Sequence, residues 1–139
     1  MPFNENMIEL ASENDFWQKE VYRDAKVQIV LMSIPTGEDI GLETHRADQT
    51  TFIVKGSGEA VIDGETTPLK PHHMIVVPKG AKHNLTNTGN GEMKLFSVYA
   101  PPAEPDGVAY RTKAEAEEGE KSMLAKAAEK VRDAVTGKE

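Results

Sequence analysis

The chain has 139 residues, 38% of them hydrophobic and 28% charged, which suits one ordinary globular domain rather than a disordered segment or two domains. Its formal net charge of -7 repels phosphate backbones and anionic lipid, and no run approaches the ~18–20 consecutive apolar residues of a membrane span; neither nucleic acid nor membrane is expected as a partner. Cysteine is absent, which excludes disulfides and thiolate chemistry and leaves any metal site to nitrogen and oxygen ligands.

The start, Met-Pro-Phe-Asn-Glu, has neither the basic residues nor the apolar stretch of a secretory signal, so a cytoplasmic location is expected. Residues 5–13 read as a short surface helix. Phe16–Tyr22 and Lys26–Ile34 read as strands separated by Arg23-Asp24-Ala25, the second rich in β-branched residues and closed by Pro35-Thr36-Gly37. From there to Ala100 turn signals are dense: Gly56-Ser57-Gly58, Asp63-Gly64, Lys70-Pro71, Pro78-Lys79-Gly80 and Thr88-Gly89-Asn90-Gly91. Between them lie short strand-like runs at Gln49–Lys55, Glu59–Asp63, Met74–Val77, Lys82–Asn87 and Met93–Ala100. This spacing predicts a mainly β fold, a sandwich or barrel of antiparallel sheets. Phe52, Ile53, Val54, Val61 and Phe96 are its expected lining or packing residues.

Pro101-Pro102 ends the last strand, and residues 103–112 read as an ordered but irregular arm. Thr112 followed by Glu115 resembles a capping box and starts a helix predicted to reach about Val135, with Gly119 as a weak point in its middle. Leu124, Ala128, Val131 and Val135 share one face of that helix, expected to pack on the barrel or on a partner subunit. The chain thus divides into an N-terminal arm (1–25), a barrel (26–102) and a C-terminal arm and helix (103–139).

Candidate ligands follow from strand parity. Glu43 and His45 are two apart and face one way on an extended segment. Gln49 keeps that parity if residues 46–48 stay extended or bend compactly. His83, behind a Pro-x-Gly turn, could be brought opposite by a neighbouring strand. Two imidazoles, one carboxylate and one amide oxygen suit a borderline divalent ion. His72-His73 follows Lys70-Pro71 at a turn, where adjacent side chains diverge, and reads as solvated loop. Tyr99 and Tyr110 could donate a proton, although packing accounts for both. Gly56-Ser57-Gly58 is a hairpin turn, since no helix follows it to hold a phosphate.

At these residues the sequence resembles the cupins. Glu43-x-His45, three residues, Gln49, six residues and Gly56 match the spacing of the first cupin motif. Pro78, Gly80, His83 and Asn87 match the end of the second in spacing and identity. Glu43 stands where that family has its leading His, Gln49 where it has Glu, and His72 where the second motif opens with Gly. With neutral imidazoles the usual three His and one Glu carry one negative charge, and so does the set found here. The resemblance implies a double-stranded β-helix (jelly roll) holding one divalent ion (Zn, Mn, Fe, Ni or Co) in its wide mouth, and a homodimer. It implies a metal-dependent enzyme acting on a small oxygenated ligand such as a sugar or organic acid, by isomerase, lyase or dioxygenase chemistry. A non-catalytic binding module or dimeric scaffold is the alternative. Some cupins that isomerise sugar phosphates use the same four ligand types in another order, but no Lys/Arg phosphate clamp is evident. No catalytic residue is assigned from the sequence.

Overall fold

The computed structural model describes residues 2–136. In chain order they form α1 (Met7–Glu13), β1 (Gln18–Arg23), β2 (Gln28–Ile34), β3 (Asp48–Lys55), β4 (Gly58–Ile62), β5 (Glu65–Leu69), β6 (Met74–Val77), β7 (His83–Asn87), β8 (Met93–Ala100), β9 (Ala109–Tyr110) and α2 (Lys113–Thr136). Local chemistry sets several boundaries. Asn6 caps α1 by accepting from the Glu9 N–H at 3.1 Å. The break between β1 and β2 is an Asx turn, in which Asp24 Oδ1 accepts from the Lys26 and Val27 amides at 2.8 and 2.9 Å.

All pairings are antiparallel. One sheet has six strands in the order β6-β3-β8-β2-β1-β9, and the other has three in the order β5-β4-β7. The core lies between them: Met32, Ile34, Ile53, Met93 and Leu95 from the large sheet meet Ala60, Leu69 and Leu85 from the small one. Each buried Ile, Leu or Met among them contributes roughly 1.5–3 kcal/mol of transfer free energy. The outer face of the large sheet is covered in turn by α1, where Ala11 packs with Leu31 and Val54 and the half-buried Phe52 and Phe96 flank them. Strand β2 is therefore buried on both faces, which is why it reads as a nearly continuous apolar run instead of alternating.

Three expectations change here. Glu65–Leu69 is a strand although it contains Pro68; β5 lies at the edge of its sheet, where a missing N–H costs no ladder bond. Within the arm, Ala109–Tyr110 adds a short edge strand beside β1. Val61 points outward, because the alternation of β4 turns Ala60 into the core.

Helix α2 begins as its capping signature predicts. Thr112 Oγ1 accepts from the Glu115 N–H at 3.1 Å, while the Glu115 carboxylate accepts from the Arg111 N–H at 2.7 Å. The helix passes through Gly119 without a break. A side chain there would collide with the Tyr110 ring, so this glycine lets the helix lie directly on the arm. Only the first half of α2 touches the β structure: Ala116 is buried in the core, whereas Leu124 is 71% and Val131 64% exposed. The predicted apolar stripe does not pack on the barrel at Leu124, Ala128 and Val131, because the helix has passed the sheets by then; the Val135 side chain lies outside the described residues. Among the described residues no helix is long and apolar enough to cross a membrane.

Candidate metal centre

Between β2 and β3 the chain runs back along β7. Bonds of 2.9–3.0 Å link Gly37 N to Asn87 O, Asn87 N to Glu38 O and Ile40 N to Leu85 O. Glu43 and His83 then exchange both of their backbone bonds, each 2.9 Å long. Such a pair is directly opposed, with both side chains on the same side, and this pairing brings the two sequence motifs together. The turn before His83 is closed by Ala81 N to Pro78 O at 3.0 Å. Gly80 sits at its third position with φ 84°, a left-handed conformation that suits glycine. Asn87 has a structural task, its amide donating to the carbonyls of Ile34 and Gly91 at 2.8 Å.

His83 is completely buried. Its Nδ1 lies 3.1 Å from the Ala81 carbonyl, an acceptor only, so Nδ1 carries the proton and Nε2 an outward lone pair. That Nε2 has no hydrogen-bond partner, and neither does Oε1 of Gln49, a residue only 3% exposed. The Gln49 amide nitrogen donates to Thr51 Oγ1 at 3.1 Å, and Thr51 bonds Ser97 at 2.7 Å, which fixes the amide so that its oxygen stays free. Leaving two buried acceptors unsatisfied costs about 1–3 kcal/mol each. A bound cation would remove that cost.

His45 completes the group. Ligand atoms of Glu43, His45 and His83 all lie within 4.8 Å of one another, near enough for a single ion among them to be reached by all three. His45 Nε2 faces Glu43 Oε2 at 2.9 Å and Glu104 Oε1 at 3.5 Å. Burial alone would lower the His45 pKa, but the Glu43 hydrogen bond and the charges of Glu104 and Glu43 outweigh it and raise it above 6.5. A proton on this nitrogen occupies the position a metal would take.

Glu104 was not singled out from the sequence, as nothing in its local pattern marks it. Its position is set by Gln28, whose Oε1 accepts from the Ala103 and Glu104 amides at 3.0 and 2.9 Å and whose Nε2 donates to the Glu104 carbonyl at 3.2 Å. Arg23 donates to the same carbonyl at 3.0 Å. A fully buried amide within an apolar strand was the available signal, since such a group must find partners. Burial, and then the charge of Glu43, raise the Glu104 pKa above its ordinary 4.5, against the opposing pull of His45. Tyr99 meets His45 edge-on at 5.3 Å, and burial with the charges of Glu104 and Glu43 holds its hydroxyl protonated. Of the other candidates, His72 and His73 are exposed on their turn, as expected.

A cavity of about 230 Å³ opens beside these groups. Gln49, Ser97 and Tyr99 line its floor on the large sheet, and Trp17 its side. Its roof is the first half of α2, with Lys113, Ala116, Glu117 and Glu120 on one helical face.

Residues 30–99 match the cupin domain model. The uncharacterized protein YrkC of Bacillus subtilis is 38% identical over 122 residues, covering 83% of this chain and 66% of that protein. The L-ectoine synthase of Vibrio campbellii is 37% identical over 67 residues, 45% of this chain and 52% of the enzyme. The crystal structure of BH2720 from Bacillus halodurans superposes with a TM-score of 0.82 at 34% identity, over 85% of this chain and 95% of that one. The chain spans about two thirds of the length of the first curated relatives it matches.

Proposed function

This chain belongs to the cupin family, and on that premise we propose that it is a metal-dependent enzyme whose single divalent ion is held by Glu43, His45 and His83, with Gln49 as a fourth, weaker ligand. The observation that carries this reading is the pair of buried, unpartnered acceptors, His83 Nε2 and Gln49 Oε1, beside the Glu43–His45–His83 group. An ion bound there supplies Lewis acidity, polarising a substrate oxygen or lowering the pKa of bound water. Zn, Mn, Fe, Ni and Co all accept such a nitrogen and oxygen set.

The chain's own residues provide the remaining chemistry. The cavity beside Glu43 and Gln49 admits a small oxygenated molecule; its volume lies below the ~300–1,000 Å³ of sites for drug-sized ligands. Glu104, held by the Gln28 clamp at the cavity wall with its pKa raised chiefly by burial, is placed to take a proton from a bound ligand and return it. Tyr99 stays protonated and serves as a donor on the floor. The similarity to an L-ectoine synthase, a catalytic relative by its name, supports an enzyme without identifying the reaction.

Elemental analysis of protein purified without added metal tests this reading. About one transition ion per chain is expected, and a His45→Ala, His83→Ala variant should lose it while keeping its β-sheet circular dichroism. Folded wild-type protein that binds no divalent ion in titration would sink the proposal. An exchangeable water on the ion, seen by relaxation of bulk water with Mn²⁺ loaded, separates an enzyme or ligand-binding site from a closed structural ion.

A further inference from the structure

The cavity is more acidic than a metal site alone requires. Four carboxylates line it: Glu43 from the segment before β3, Glu104 from the arm, and Glu117 and Glu120 one turn apart on α2. Among the described residues lining it, the one cationic side chain is Lys113, and its ammonium is turned to Glu38 and Asp39 at 3.1 and 2.9 Å. Those two carboxylates, not the cavity, take up its charge. An ion on Glu43, His45 and His83 would offset two of the four negative charges and leave two.

One feature besides its charge marks the space as a ligand site. Gln49 lines it and aims a buried, unpartnered carbonyl oxygen. Trp17 forms one wall, with Lys113 Nζ 5.9 Å from its ring centroid. Burial, then the charges of Glu43 and Glu117, push the Glu120 carboxyl up from its usual range. A cation at the rim would relieve that repulsion.

We propose that the ligand of this cavity is a small amine-bearing molecule, its ammonium received by Glu117 and Glu120 and one of its oxygens lying toward Glu43, His45 and His83. The second contact rests on the metal reading above. The first does not, because the cavity is negative with or without an ion. A phosphosugar or a simple dicarboxylate would meet the residual negative charge with no free cation on the cavity wall to bind it.

The test uses the full chain loaded with Mn²⁺ or Zn²⁺, its metal content measured on the same sample. Butyrate and 4-aminobutyrate, alike in length and differing by one ammonium, are titrated calorimetrically. The amine should bind about fivefold more tightly, the equivalent of two rim ion pairs. E117Q/E120Q should abolish the preference at unchanged metal content. Equal or tighter binding of butyrate, no saturable binding of 4-aminobutyrate, or a preference that survives E117Q/E120Q overturns the proposal. So does a second divalent ion per chain that 4-aminobutyrate cannot displace. If the preparation takes up no metal, the metal reading fails by itself. The amine reading is then decided by n-butylamine against 1-butanol on the same protein, where equal affinity overturns it.

Discussion

The floor of the site and its roof are built by different means. On the floor Gln49 is carried by β3, and beside it His83 by β7 of the smaller sheet; both strands lie inside the two-sheet core, and the residues are 3% and 0% exposed. On the roof, Glu117 and Glu120 project from the first half of a helix that leaves the sheets before Leu124. Glu104 joins the two, at the start of an arm held there by side-chain bonds from Gln28 and Arg23, before the arm joins the sheet ladder at β9. Sheet pairing fixes backbone positions closely, which suits atoms that must converge on one ion. A roof docked through Ala116 and the Tyr110–Gly119 contact can differ between relatives and change what is admitted while the floor stays as it is.

This contrast breaks most visibly on the floor. His83→Ala should lower affinity for the divalent ion at least about a hundredfold, more than typically follows loss of a group that only supports a ligand, with competition against a fluorescent chelator as the measurement. An ion bound as tightly by the variant would show that the floor is structural. Gln28→Ala comes next. It leaves the Ala103 and Glu104 amides without their acceptor and should cost about 2–3 kcal/mol in urea unfolding. It should also speed hydrogen exchange of the arm while leaving the metal in place; exchange unchanged at Glu104 would show that the arm is held otherwise.

Gly119→Ala sharpens the account of the roof. Helix propensity alone would favour alanine by about 1 kcal/mol. The clash with Tyr110 should reverse that sign, and Tyr110→Ala in the same chain should restore it. A stabilised single variant would mean that the helix is free to shift off the arm.

The smallest effect concerns Glu104, and its sign follows from linkage. A carboxyl whose folded pKa is raised weakens the native state at pH above that value, and the weakening is relieved as pH falls through it toward the ordinary 4.5. Glu104→Gln should therefore raise the Tm of the metal-free protein at neutral pH, the advantage closing on acidification. The opposite trend belongs to Asp39 and Glu92, whose pKa values are lowered chiefly by side-chain hydrogen bonds from Asn84 and Ser33; their contribution is present above the unfolded values and is lost at lower pH. A Glu104→Gln advantage that persists at pH 4 would mean that the gain comes from packing.

Much of this could be read from the residues in order. Turn chemistry and β-branched runs located β2, β3, β4, β6, β7 and β8 to within a residue or two, because these signals are local. The spacing from Glu43 to Gly56 and from Pro78 to Asn87 marked the residues that converge, since parity on a strand decides which side chains share a face. Pro68 hid β5, because an edge position is a property of the sheet and is invisible in the strand itself. Capping by Thr112 and Glu115 was legible, but how far α2 stays in contact was not.

What the sequence determined by itself is the set of possible ligands, nitrogen and oxygen donors without thiolate, and the strand parity that aligns Glu43 with His45. Tertiary structure alone decided that Glu43 pairs with His83 across two segments 40 positions apart, that Gln28 fastens Glu104 beside them, and that the first half of α2 closes the cavity with carboxylates. Each of these depends on contacts between segments distant in the chain. Periodicity and spacing describe only neighbours, whereas the sign of a cavity is the sum over every wall that faces it.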